Sequence, residues 1–121
     1  MKQILFISLL IITSSFFMSC NQNDPNELGR LSIKILYNGE TVSNAITALA
    51  SSQKNLDAGI YVKEVHSDLK GFADFGALSP GSYYCDSYKY INNNQIYLYG
   101  TSIVVVEPGH IKSVELIIKE K

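Results

Sequence analysis

After residue 28 the chain is dominated by short runs in which apolar and polar residues alternate. Leu31, Ile33, Ile35 and Tyr37 alternate with Ser32, Lys34 and Asn38. A period of two predicts a strand with one buried face. Asn38-Gly39 follows, a strong hairpin signal because both residues accept positive φ. Thr41–Ser51 reads as a second strand with Val42, Ala45 and Leu49 inward, and Gln53–Gly59 reads as a loop. Ile60–Val65 is a third strand. Phe72–Leu78 and Ser82–Ser87 are two more, split by Pro80-Gly81. Tyr88–Ile91 and Gln95–Tyr99 flank Asn92–Asn94 as a hairpin. Ser102–Glu107 and Ile111–Lys119 form the last pair, joined by Pro108-Gly109. The only helix-tolerant stretch is Leu49–Leu56, and it is short. Many short strands separated by turn signals predict an all-β sandwich or barrel.

The start of the chain follows a different pattern. Lys2 precedes an apolar run from Ile4 to Met18 that hydroxyl residues interrupt. It falls short of the roughly 20 apolar residues a spanning helix needs and has the form of a secretory leader. Its end, Phe17-Met18-Ser19-Cys20, resembles a bacterial lipobox. That resemblance implies cleavage before Cys20, lipidation of Cys20 and attachment to a membrane, with acyl chains contributing about 0.8 kcal/mol per buried CH₂. Asn21–Glu27 has no apolar residue and reads as a tether. Asn21, rather than Asp, after the cysteine implies the bacterial outer membrane, by resemblance to enterobacterial sorting. The expected organisation is a signal peptide over 1–19, a lipidated Cys and tether over 20–28, and one domain over 29–121.

Composition narrows the function classes. About 100 residues beyond the leader suffice for one small core. The net charge is −1, so there is no basic excess to hold a phosphate backbone, and nucleic acid is not an expected partner. Two Cys and two His do not make a zinc ribbon or a disulfide scaffold.

Ser67-Asp68-Leu69-Lys70-Gly71-Phe72-Ala73-Asp74-Phe75-Gly76-Ala77-Leu78-Ser79-Pro80-Gly81-Ser82-Tyr83 resembles the signature of carboxypeptidase regulatory-like domains. Gly39–Ala45 and Val104–Gly109 resemble that family's flanking turns. The resemblance runs from about Gly29 to Lys119 and implies a prealbumin-like Greek-key β-sandwich of about seven strands. The same letters have a direct physical reading. Asp68 can accept backbone N–H groups in a tight turn that Gly71 closes. Ala73, Phe75 and Leu78 fall toward the core, Pro80-Gly81 fits the centre of a type II turn, and Tyr83 points back inward. Cys85 shares the side of Tyr83 and is expected to be a buried, reduced thiol.

Chemistry is sparse. The family's zinc peptidases carry an H-x-x-E motif that this sequence lacks. Its hydroxyisourate hydrolases end in Tyr-Arg-Gly-Ser, whereas this chain ends Lys119-Glu120-Lys121. Lys34 alternates with Ile33 and Ile35, so it faces solvent rather than an isopeptide partner. His66 and His110 read as exposed imidazoles, and Asp57, Glu64, Asp68 and Asp74 lack a calcium-loop spacing. No catalytic residues, metal ligands or cofactor are expected. The unusual stretch is Tyr83–Tyr99, with Tyr83, Tyr84, Tyr88, Tyr90, Tyr97 and Tyr99 out of eight tyrosines in the chain, beside Asn92, Asn93, Asn94 and Gln95. Period two puts Tyr88 and Tyr90 on one face, Tyr97 and Tyr99 on one face, and Ile91, Ile96 and Leu98 on the other, toward the core. Cross-strand packing alone explains such a cluster. If there is a binding site, it is Tyr88, Tyr90, Tyr97 and Tyr99. The expectation is a non-enzymatic, membrane-anchored lipoprotein acting as a structural or protein-interaction module at the cell envelope. The alternative is a carbohydrate or small-ligand module using the tyrosine hairpin. The expected partners are the membrane, through the lipid, and an envelope protein or a glycan.

Overall fold

The computed structural model describes residues 25–121. The leader, Cys20 and residues 21–24 of the tether lie outside the described residues. Among the described residues, nine strands and one short helix follow in order: β1 (Gly29–Tyr37), β2 (Glu40–Thr41), β3 (Ile46–Ala50), α1 (Gln53–Asp57), β4 (Lys63–His66), β5 (Phe72–Leu78), β6 (Gly81–Ile91), β7 (Ile96–Val106), β8 (Ile111–Ile117) and β9 (Lys119–Glu120). They make two sheets, an all-β sandwich. In the first sheet β1 pairs antiparallel with β2 and β5 and parallel with β8. The second is fully antiparallel in the order β4-β3-β6-β7-β9.

The inner faces meet in one core. Leu31, Ile33, Ile35, Phe75, Leu116 and Ile118 from the first sheet and its continuation pack with Leu49, Tyr83, Cys85, Leu98, Val104 and Val106 from the second. Full burial of a side chain such as Phe75 contributes about 1.5–3 kcal/mol. On β5 the inward residues change parity, from Ala73 and Phe75 to Leu78. The pairing with β1 slips between Leu31 and Ser32, opposite Gly76. Gly76 takes φ 67°, and the Asp74 carboxylate accepts its N–H at 2.9 Å. Phe75, skipped between the Leu31↔Gly76 and Ser32↔Asp74 pairs, is the extra residue that lets both halves of β5 face the core. Burial pushes the Cys85 thiol up to about 12, with Asp86 adding to the rise. The thiol therefore stays protonated.

The turns follow local chemistry. Asn38 and Gly39 both have positive φ, 51° and 80°, as the β1–β2 hairpin needs. Asp68 Oδ1 accepts the N–H groups of Lys70 and Phe72, each at 2.9 Å, and Gly71 sits at φ 87°.

Several expectations change. Ser82–Ser87 and Tyr88–Ile91 are one strand, β6, and Gln95–Tyr99 joins Ser102–Glu107 in β7. Each spans 11 residues, because the ladder between them runs unbroken from Gly81↔Val106 to Ile91↔Ile96. Pro80-Gly81 is not a type II turn. Gly81 has φ 151°, far from the roughly +80° of that turn, and it opens β6. The second strand does not run from Thr41 to Ser51. It breaks between β2 and β3, where the Ser67 hydroxyl takes the N–H of Ala45 at 2.8 Å and donates to the Val42 carbonyl at 2.6 Å. Gln53–Asp57 is a helical turn rather than a loop. Ser52 caps it by accepting the Asn55 N–H at 3.1 Å. Ile60, Tyr61 and Val62 do not belong to a strand and stand exposed before β4.

Candidate functional site

The outer face of the second sheet divides into two halves. Ala48 and Ala50 point outward from β3, opposite in sense to Leu49, yet both are buried. The helix α1 lies against β3 and β6, and its buried Leu56 roofs these small residues. Beyond this roof β6 and β7 expose a different set. Tyr88 stands directly opposite Tyr99, and Tyr90 opposite Tyr97. The rings form a contiguous cluster. Tyr90 and Tyr97 have centroids 4.8 Å apart, Tyr88 and Tyr97 6.0 Å, Tyr97 and Tyr99 6.2 Å, and Tyr88 and Tyr90 6.5 Å in an edge-to-face arrangement. Such pairs add about 0.5–1.5 kcal/mol each beyond area burial. Tyr90 is 52% exposed, and the other three are half-buried. Leu98 is buried on the opposite face, with Ile91 and Ile96 packed at the core margin. The hairpin closes over Asn92, Asn93 and Asn94, whose φ values of 52°, 56° and 67° suit Asn better than other side chains.

Asp86 sits on the same face, one pleat before Tyr88, between Ala48 of β3 and Thr101 of β7. Its Oδ1 is closed from solvent and has no hydrogen-bond partner among the described residues. Burial raises its pKa, and the nearby carboxylates of Glu64 and Asp57 raise it further. A desolvated acceptor with an unmade bond costs about 1–3 kcal/mol, more when charged. Tyr61, exposed in the loop before β4, is near enough for the same acids to act on it. Its hydroxyl pKa is raised by burial and then by Asp86, Glu64, Tyr88 and Tyr99. Burial also raises Tyr97 and Tyr99, with Asp86 contributing to each. These phenols therefore remain protonated donors on an acidic face.

The far edge carries positive charge. After β8 the chain crosses between the sheets. Ile118 N donates to Leu36 O at 2.9 Å, and β9 then pairs with β7 opposite Leu98 and Tyr99. This crossing sets the Lys121 ammonium 4.3 Å from the centroid of Tyr99, a cation–π distance.

The structure thus gathers Tyr88, Tyr90, Tyr97 and Tyr99 on one face, while Cys20 lies outside the described residues. Sequence reasoning missed Asp86, Tyr61 and Lys121. Asp86 shared the parity of Tyr84, Tyr88 and Tyr90 and could have been found from it. Nothing local foretold Tyr61 or Lys121. Of the four acids considered for calcium, Asp68 and Asp74 serve turns, whereas Asp57 and Glu64 approach Asp86. No group of three or more His, Cys, Asp and Glu residues is placed to hold a metal among the described residues. His66 is exposed beside Asn44 Oδ1 at 3.1 Å, and His110 lies against the Pro108 carbonyl at 2.7 Å.

No protein-family model matches the chain, and no curated protein does. Solved structures do. The TIE protein of Bacillus anthracis is 21% identical with a TM-score of 0.54. The match covers 78% of this chain and only 17% of that one. A proposed carbohydrate-binding protein of Pseudomonas aeruginosa is 16% identical with a TM-score of 0.55, covering 78% of this chain and 91% of that one. At these identities the likeness establishes a shared β-rich fold.

Proposed function

We propose that this chain is a non-enzymatic saccharide-binding module, held at the bacterial outer membrane by a lipid on Cys20, with the tyrosine face as its site. The observation that carries this reading is the in-register, contiguous cluster of Tyr88, Tyr90, Tyr97 and Tyr99 on the outer face. Pyranose rings present apolar C–H faces that stack on tyrosine, while their hydroxyls need polar partners such as the phenols and the exposed amides of Asn92–Asn94. The Pseudomonas protein, proposed to bind carbohydrate, has a comparable fold, which supports the reading. The turn at Asp68–Gly71 and the inward Ala73, Phe75, Leu78 and Tyr83 agree with a carboxypeptidase regulatory-like, prealbumin-like domain. We assign the chain to that type as part of the proposal.

The second reading is a structural or protein-interaction module. It draws on Ile103 and Val105, which continue the same face of β7 and are 62% and 45% exposed. Apolar residues of this kind suit a protein partner better than a sugar. A glycan array and an envelope-protein pull-down, each run with wild type and the Tyr90→Ser/Tyr97→Ser variant, separate the two. Glycan binding that this variant loses supports the saccharide site. Protein capture that survives it but fails with Ile103→Ser/Val105→Ser supports the second reading.

A further inference from the structure

The two ends of the sandwich differ. β6 runs from Gly81 to Ile91 and β7 returns from Ile96 to Val106. The tyrosines and the 92–94 turn therefore occupy one end, and the 107–110 turn the other. The chain enters the fold at this second end. Gly109 N donates to Leu28 O at 3.3 Å, and Arg30 N to His110 O at 2.9 Å. The Glu27 side chain fills the space beside Gly109. Three apolar side chains stand uncovered around this entry point. Ile111, paired with Arg30 on β8, is 83% exposed, Leu28 53%, and Val105, just before the turn, 45%. None of them serves the core, which takes Leu31, Val104 and Val106 from the same segments. The charges nearby are balanced, Glu27 and Glu107 against Arg30 and Lys112, and His110 lies against the Pro108 carbonyl. Four residues separate Cys20 from Pro25, where the described chain begins. Fully extended, that interval reaches about 18 Å.

Resting on the lipid attachment at Cys20 proposed above, we propose that this end of the sandwich docks on the bilayer itself, with Leu28 and Ile111 inserted at the boundary of headgroups and acyl chains. Acyl chains on Cys20 would keep these side chains within reach of the surface, at an effective concentration of about millimolar. At that concentration a small apolar patch partitions, because interfacial binding scales with the apolar area buried. Balanced charge leaves apolar insertion, rather than anionic headgroups, as the attraction. Docking also orients the other end. Tyr90 lies eight residues along β6 from Ser82, the partner of Val105, a rise of about 27 Å. The tyrosine face therefore stands clear of the lipid and takes its saccharide from the aqueous side.

The test uses the lipidated full chain in phosphatidylethanolamine vesicles with a quarter phosphatidylglycerol and a spin-labelled acyl chain as quencher. An environment-sensitive fluorophore is placed on Glu107→Cys or on Gln95→Cys, both exposed positions and at opposite ends. Cys85 is buried and stays unlabelled. Quenching at position 107 should exceed quenching at position 95 at least about fivefold, and Leu28→Ser/Ile111→Ser should remove most of the difference without moving the melting temperature. Doubling the phosphatidylglycerol should change the ratio by less than about twofold. Equal quenching at both positions, or quenching at position 107 that survives the double variant, would overturn the docking and leave the lipid anchor standing. A ratio that climbs steeply with phosphatidylglycerol would overturn it as well, by replacing apolar insertion with headgroup charge. A chain that fails to float with the vesicles, or whose mass lacks acyl groups, would overturn the anchor on Cys20 and the docking with it.

Discussion

Ser87 and Asp86 are neighbours on β6, and they are treated in opposite ways. Ser87 points into the sandwich and is 0% exposed. Its hydroxyl lies 3.0 Å from that of Thr47 on the adjoining strand, so two buried polar groups satisfy each other. Asp86 points outward, is only partly buried, and keeps an acceptor without a partner. A buried pair that satisfies itself is a folding device. An unmade bond on the outer face costs stability that folding alone does not require. The same contrast runs along the hairpin, where Leu98 serves the core and Tyr97 and Tyr99 on either side of it form the outer cluster.

The largest expected effect tests the inner face. Leu98→Ala empties a fully buried site and should cost about 2–5 kcal/mol, read as a fall in the denaturation midpoint at constant slope. A loss below about 1 kcal/mol would show that this face is not the core. Ser87→Ala comes next. It leaves the Thr47 hydroxyl only the longer bond to the Ala45 carbonyl at 3.4 Å and should cost about 1–2 kcal/mol, whereas Ser87→Ala with Thr47→Val should recover most of that loss.

Asp86→Asn should act in the other direction and raise the melting temperature at pH 7 by a few degrees. The native pKa of Asp86 is raised, so the folded state holds the proton more tightly than the unfolded chain. Stability from this group is present at low pH and is lost as pH rises through the native pKa. The advantage of Asp86→Asn should therefore be small at pH 3 and open above 3.8, the ordinary value for this carboxyl. A gap that narrows with rising pH would mean that the ionised Asp86 stabilises the fold. The smallest loss among these deletions belongs to Tyr90→Ser. Tyr90 is half exposed, and losing its contacts with Tyr88 and Tyr97 should cost about 1 kcal/mol, while saccharide affinity drops. A melting temperature that collapses would return the rings to a purely structural role.

Local chemistry by itself determined much of this molecule. Alternation at Leu31, Ile33 and Ile35 set the inner face of β1. Asn38-Gly39 and Asn92–Asn94 set two hairpins, because so few residues tolerate positive φ. Parity put Tyr88 and Tyr90 on one side and Leu98 on the other. These are nearest-neighbour properties, and a period of two carries them without knowledge of the rest of the chain. Tertiary structure alone decided what depends on distant segments. β6 and β7 run through as two 11-residue strands, where the letters suggested four, since a continuous ladder overrides weak local breaks such as Ser87-Tyr88. Gln53–Asp57 became a helical turn that packs on β3 and β6 and buries Leu56. Tyr61, Glu64, Asp57 and Lys121 reached Asp86 and the tyrosines from a loop, an edge strand, a helix and a crossing between sheets. Their meeting point depends on how the strands are ordered in space, and period-two alternation carries no information about that order.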